Sequence, residues 1–162
     1  MALLSGTPQF IADALAVALM ERRGFRREDF EVFHPGGKLG AQLLSVARLM
    51  HSGEELPLVS PDTPMSEGLV LMSAKGFGLA GLIDDGRLAG IVTDGDLRRN
   101  MHRLLDSTAG EVATRNPKTV SPDTLASEAL KMMNEAKISA LFVVDADHRV
   151  QGLLHIHDLL RA

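Results

Sequence analysis

The chain has no cysteine, no tryptophan and no tyrosine, and six phenylalanines are the only aromatic residues among its 162 positions. Without cysteine there are no disulfide frameworks, thiolate zinc sites or cysteine nucleophiles, and the composition fits a reducing compartment, so a cytoplasmic protein is expected. With so few rings, a planar ligand has to be held largely by aliphatic side chains and backbone. A basic surplus is also missing: 17 Lys and Arg stand against 21 Asp and Glu, a formal charge of −4. Neutralising a phosphate backbone needs a face rich in cations, so no nucleic-acid partner is expected. No long apolar run qualifies as a membrane span. The strongest, Phe10 to Met20, contains Asp13 and is followed by Arg22 and Arg23, whereas a secretory signal places its positive charge first. It is also shorter than the roughly 20 residues that span a bilayer. It predicts a helix of a soluble domain, from about Thr7 to Arg22, with no membrane partner.

A 45% hydrophobic chain of this length can build one sizeable core or two small ones. A repeat favours two. Val59-Ser60-Pro61-Asp62-Thr63 recurs 61 residues later as Val120-Ser121-Pro122-Asp123-Thr124, and the match continues with Ser66-Glu67 and Ser127-Glu128, Leu69 and Leu130, and Met72 and Met133. After one extra residue, Gly90-Ile91-Val92 matches Gly152-Leu153-Leu154, and Asp96-Leu97 matches Asp158-Leu159. A duplicated unit explains this pattern. Each copy reads as strand, helix, hairpin, helix. Thr63 is predicted to cap the first helix with Pro64 at its first position, where a missing N–H costs nothing, and Thr124 is predicted to cap the second. Apolar runs Leu79 to Ile83 and Leu88 to Val92 flank Asp85-Gly86, a dipeptide suited to the positive φ of a tight hairpin; Ala140 to Val144 and Val150 to Leu154 repeat the pair. A unit this small cannot bury both faces of its sheet alone, so the copies are expected to pack together about a pseudo-twofold axis. The fold class is α+β, a mixed α/β arrangement.

An early strand in each copy, ending near Ser60-Pro61 or Ser121-Pro122, together with Gly90-Ile91-Val92-Thr93-Asp94-Gly95-Asp96, resembles the cystathionine-β-synthase (CBS) domain, which occurs as tandem pairs that often sense nucleotides. The resemblance implies that Asp96 accepts hydrogen bonds from ribose hydroxyls and that Thr93 contacts ribose or phosphate. Physically, Thr93 to Asp96 lies at a strand-to-helix junction, where free N–H groups favour an anion. Arg98 or Arg99 can pair with a phosphate, and a carboxylate is a natural acceptor for a vicinal diol. Thr-x-x-Asp is equally the pattern of a capping box serving the helix alone, and the residues leave both readings open. In the second copy His155 replaces the threonine while Gly152 and Asp158 remain, so this cleft either binds something different or is degenerate, with Asp158 its ligand candidate. His155 and His157 would share a face if the strand persisted, but no third ligand accompanies them and no metal is expected.

Residues 1–46 fall outside the repeat. Asp13-Ala14-Leu15-Ala16-Val17-Ala18-Leu19 together with Gly24 to Gly40, including His34-Pro35-Gly36-Gly37, is similar to the end of a sugar isomerase (SIS) domain. With Leu49-Met50-His51-Ser52-Gly53-Glu54-Glu55-Leu56-Pro57, Thr93 to Arg99 and His155 to Ala162, nearly the whole chain resembles the D-arabinose-5-phosphate isomerase family, which serves lipopolysaccharide synthesis through 3-deoxy-D-manno-octulosonate (Kdo). The resemblance divides the chain into a SIS remnant and linker (1–46) and two CBS domains (47–106 and 107–162). It makes His34 an active-site residue, and an imidazole titrating near neutrality suits the proton transfers of an aldose–ketose isomerisation. The family's phosphate loop, lysine and acidic bases have no counterpart here, and one His cannot orient a sugar phosphate alone. The chain is therefore expected to be a catalytically inert regulatory module with no cofactor, a nucleotide effector (CMP-Kdo, or another cytidine or an adenine nucleotide) and a homodimeric or higher assembly. The alternative is a ligand-free oligomerisation module, with the methionines at 72, 132 and 133 either in its contact or, as adaptable fillers, in the core.

Overall fold

The computed structural model describes residues 43–162, and the duplication is visible in its element order. Copy one runs through strand β1 (Leu58–Val59), helix α1 (Met65–Lys75), the hairpin β2 (Leu79–Asp84) and β3 (Arg87–Thr93), and helix α2 (Asp94–Arg99). A short helix α3 (Ala109–Val112) and strand β4 (Thr114–Arg115) follow. Copy two repeats the first series as β5 (Thr119–Val120), α4 (Ala126–Ala136), β6 (Ala140–Val144), β7 (Val150–His155) and α5 (Ile156–Arg161). The predicted strand–helix–hairpin–helix order holds in both. Asp85 and Gly86 adopt φ 49° and 74°, the two consecutive positive values that a tight two-residue hairpin requires.

The predicted helix starts are each displaced by one residue. Pro64 and Leu125, not Thr63 and Thr124, are the caps, both in extended conformation. The reason is tertiary. Pro64 bridges to Thr108 and Leu125 to Ser45, so these backbones are held as β-structure. The threonines turn backward instead: Thr63 Oγ1 accepts from the Ser60 N–H at 3.1 Å, and Thr124 Oγ1 lies 3.1 Å from Ser121 Oγ.

These bridges expose an exchange of segments between copies. The Met65 N–H donates to Ser107 O (2.9 Å), Ala109 N–H to Thr63 O (2.8 Å) and Gly110 N–H to Pro61 O (2.9 Å). On the other side Ala126 N–H donates to Leu44 O (2.8 Å), Val46 N–H to Thr124 O (2.8 Å) and Ala47 N–H to Pro122 O (3.0 Å). Residues leading into copy one therefore pack on copy two, and residues leading into copy two pack on copy one. The first sheet has the order β1-β2-β3-β4, with β1 parallel to β2 and the remaining pairs antiparallel. The second has the order β5-β6-β7, and the equivalent of β4 is reduced to a bridge between His51 and Leu153.

Successive side chains point to opposite faces of each sheet, and β2 and β6 are buried on both, from Leu79 to Leu82 and from Leu141 to Val144. Ala80, Leu82 and Val92 face α1 in one core, with Met65 and Met72; Leu141, Val143 and Leu154 face α4 in another, with Val46 and Met133. Met72 and Met133 are thus core residues, and Met132 packs against the same second core. The opposite faces meet in a third cluster of Leu79, Leu88, Phe142, Val144 and Leu153, so the two sheets bury each other. Gly81 and Phe142 are equivalent positions of the repeat and meet in this interface: a Cβ on Gly81 would lie 2.7 Å from Phe142 Cζ. Two phenylalanines would collide there and two glycines would leave a void, so the copies have diverged into a small–large pair. The expected helix of Thr7 to Arg22, the SIS remnant and His34 lie outside the described residues.

Candidate functional site

Asp96 is the only charged side chain buried among the described residues, with 2% of its surface exposed. Its carboxylate is fully used. One oxygen accepts from the Thr93 N–H and the Thr93 hydroxyl, both at 2.8 Å; the other accepts from the Thr114 hydroxyl at 2.7 Å and Arg99 Nη2 at 2.6 Å. Thr93 Oγ1 in turn accepts from the Asp96 N–H at 3.3 Å, completing a capping box at the start of α2. Burial alone raises the carboxyl pKa, but the bonds from Thr114, Thr93 and Arg99 to the ionised form outweigh it and hold Asp96 below its ordinary 3.8.

The cleft opens beyond this knot. It has a volume of about 540 Å³ and lies between the copies, bounded on one side by Thr93, Asp94, Gly95 and Arg98 and on the other by Asn116 to Lys118 and Lys137 to Ala140. Thr114 lines it; Asp96 stands behind the two threonines. Arg98, Lys118 and Lys137 face a single lining carboxylate, Asp94, so the wall is cationic on a chain that is acidic overall. Leu79, Ile91, Ile138 and Ala140 supply the apolar wall, and no aromatic ring contributes. The two arginines have separated: Arg98 lines the cleft and Arg99 is spent on Asp96. Thr114 is the site residue that sequence reading passed over. Its signal was positional, since it follows His51 by 63 residues at the same place in the repeat.

The symmetry-related site is built differently. Asp158 accepts from the His155 N–H at 3.1 Å and lies 3.1 Å from His51 Nε2, while His51 Nδ1 lies 3.0 Å from Glu55 Oε2. His155 Nδ1 accepts the His157 N–H at 3.2 Å, which requires a neutral imidazole; burial, with the charge of His157 next, holds the His155 pKa below 6.5. The strand ends at His155, so His155 and His157 do not share a strand face. No group of three or more His, Cys, Asp or Glu capable of holding a metal is gathered among the described residues. No helix among them is long and apolar enough to cross a membrane.

The glycines of the repeated motif have a packing explanation. A Cβ on Gly90 would lie 2.8 Å from Thr114 O, and one on Gly152 would lie 2.6 Å from His51 O. Both glycines admit the segment that crosses from the other copy, and with it the residue that reaches the motif aspartate.

Comparison with known proteins agrees with this architecture. A protein of Pseudomonas aeruginosa named arabinose 5-phosphate isomerase KdsD is 52% identical over 157 residues, which is 94% of this chain and 48% of that protein. The protein of the same name from Escherichia coli is 43% identical over the same shares. The chain thus spans about half the length of the curated relatives it matches. Among solved structures, the CBS-pair protein CBSX2 in complex with AMP superposes with a TM-score of 0.64 at 29% identity, covering 72% of this chain and 93% of that one. The CBS domain itself matches residues 46–103 and 109–162. With two matched copies, two exchanged lead-in segments and one shared sheet interface, the chain belongs to the CBS-domain family as a tandem pair.

Proposed function

We propose that the chain is the nucleotide-sensing regulatory module of a D-arabinose-5-phosphate isomerase, binding its effector in the first cleft. The observation that carries this reading is the three-cation wall of Arg98, Lys118 and Lys137 placed beside two threonine hydroxyls at the interface of the copies. An anionic phosphate is drawn to the cations, of which Arg98 offers a planar fork. A base lies against Leu79, Ile91 and Ile138, where backbone groups must read its identity. Thr93 and Thr114 meet the ribose, and Asp96 acts first by holding both hydroxyls in position. A ribose hydroxyl bonds Asp96 directly by displacing Arg99, a donor whose side chain is 66% exposed. The AMP in the related CBSX2 complex supports a nucleotide as the ligand class; the resemblance to a family that serves Kdo synthesis makes CMP-Kdo the other candidate.

The ligand contacts both copies, so it can bias their arrangement, and a regulator needs such unequal binding to two states. Calorimetric titration with AMP, CMP and CMP-Kdo tests the reading. Submillimolar binding of at least one is expected, weakened tenfold or more by Arg98→Ala with Lys118→Ala; absence of binding by all three overturns it. The described residues are given over to the repeat, so catalysis is not proposed for this chain. Conversion of arabinose 5-phosphate to ribulose 5-phosphate by the pure protein would refute that.

A further inference from the structure

The two clefts are equivalent by the repeat but not by chemistry, and the differences at the ligand corner run one way. Where the first cleft has Thr114, Thr93, Gly95 and Ile138, the second has His51, His155, His157 and Phe77. Four small or aliphatic side chains have become four rings, out of seven Phe and His rings among the described residues. The rings are gathered: His51 meets Phe77 edge-on with centroids 4.9 Å apart, Phe77 lies 6.2 Å from His155, and His155 lies 4.9 Å from His157. The hollow that remains has a volume of about 360 Å³ and ends at His51 and Phe77, without reaching the motif residues His155 to Asp158. In the first cleft the corresponding residues Thr93 to Gly95 are part of the wall.

Charge has changed in the same sense. The linker that carries Pro117 and Lys118 into the first cleft is two residues longer in the other copy, where it brings Glu54 and Glu55 into the second hollow, and Arg98 corresponds to Leu160. A phosphate there would meet two carboxylates and a single cation, Lys75, against three cations and one carboxylate in the first cleft. Asp158 keeps the motif position of Asp96 and, like it, is engaged by the protein's own side chains, His51 at 3.1 Å where Asp96 has Thr114 and Arg99, so the rings and the charges are what distinguish the clefts.

We infer that the second cleft is closed by this ring cluster, so that the module takes one nucleotide per chain, in the first cleft. His51, Phe77, His155 and His157 are then the residues that determine which cleft is open. The inference rests on the nucleotide reading for its stoichiometry and stands apart from it for the closure.

Two measurements separate them. In nucleotide-free protein, nuclear Overhauser contacts between ring protons of His51, Phe77 and His155 are expected, and their absence overturns the closure whatever the first cleft does. With AMP and CMP as probes, calorimetry should give one site per chain, and amide shifts should move at Thr93 to Arg98 and Asn116 to Lys118 but not at Glu54, Glu55 or His155 to Asp158. Two sites per chain, or shifts at both places, overturn the closure and leave the nucleotide reading intact. No binding with the ring contacts present overturns the nucleotide reading alone. A variant with His51→Thr, Phe77→Ile, His155→Thr and Glu55→Lys, its fold checked by circular dichroism and its first site by titration, should gain a second site within about tenfold of the first. One site in that folded variant means that the rings are not what closes the cleft.

Discussion

Asp96→Ala should be the most revealing single substitution, because its counterpart Asp158→Ala removes the same motif residue from a different environment. Truncating Asp96 leaves the part-buried Thr93 N–H and hydroxyl without their acceptor, while Thr114 and Arg99, both exposed, turn to water at little cost. A buried donor without a partner costs about 1–3 kcal/mol, and a lost helix cap about 1 kcal/mol. The Thr93 hydroxyl keeps its bond from residue 96 N–H, so part of the cap survives. The sum is about 3 kcal/mol. Asp158 accepts one backbone N–H and pairs with His51, both at 3.1 Å, and its side chain is 23% exposed, so water replaces much of what is lost and about 1 kcal/mol is expected. Without tryptophan or tyrosine, fluorescence is a poor probe, so urea unfolding should be followed by far-ultraviolet circular dichroism at neutral pH. Equal costs for the two variants, or less than about 1 kcal/mol for Asp96→Ala, would refute the reasoning that Asp96 is a saturated buried acceptor.

Three further outcomes follow from the same geometry. Gly81→Ala should destabilise by about 1–3 kcal/mol, since its methyl group meets the buried Phe142 ring, and Phe142→Ala by about 3–5 kcal/mol. The two are in contact, so the double variant should cost less than the sum, and strict additivity in urea midpoints would contradict the small–large pairing. The Asp96 carboxyl is held below 3.8 in the fold, so the stabilisation it provides is complete above that value and is lost as pH falls through the folded pKa; Asp96→Asn should flatten the acid limb of a stability–pH curve, and an unchanged limb would count against it. His155 is held below 6.5 with His157, Asp158 and His51 around it, so the unfolded chain takes up its proton first as pH drops below about 6.5 and stability falls there; His155→Gln should reduce that slope, and a slope equal to wild type would assign it to other histidines.

Much of the fold was legible because it depends on local chemistry and on repetition. The hairpin at Asp85-Gly86 was readable since few residues tolerate two positive φ angles, and the strands since their apolar runs are short and bounded. Each sheet's need for a partner followed from its size. The helix caps were misplaced by one residue because Thr63 and Thr124 have the right chemistry for a cap while the backbones of Pro64 and Leu125 are engaged by distant segments. No local pattern carries that information.

The candidate site divides the same way. Thr93 and Asp96 could be picked out from their spacing, and the capping reading holds, since Asp96 completes the cap at the start of α2. Thr114 and His51 were invisible as partners of the motif, because a hydrogen bond across 18 or 107 residues follows from the crossing of chain segments and not from neighbouring sequence. By itself the sequence determined that this protein is a duplicated α+β module with one intact and one altered motif. Tertiary structure decided that the copies exchange their leading segments, that Arg98 and not Arg99 faces the cleft, and that the altered motif meets Phe77 and His51, since each of these depends on which surfaces the packed sheets bring together.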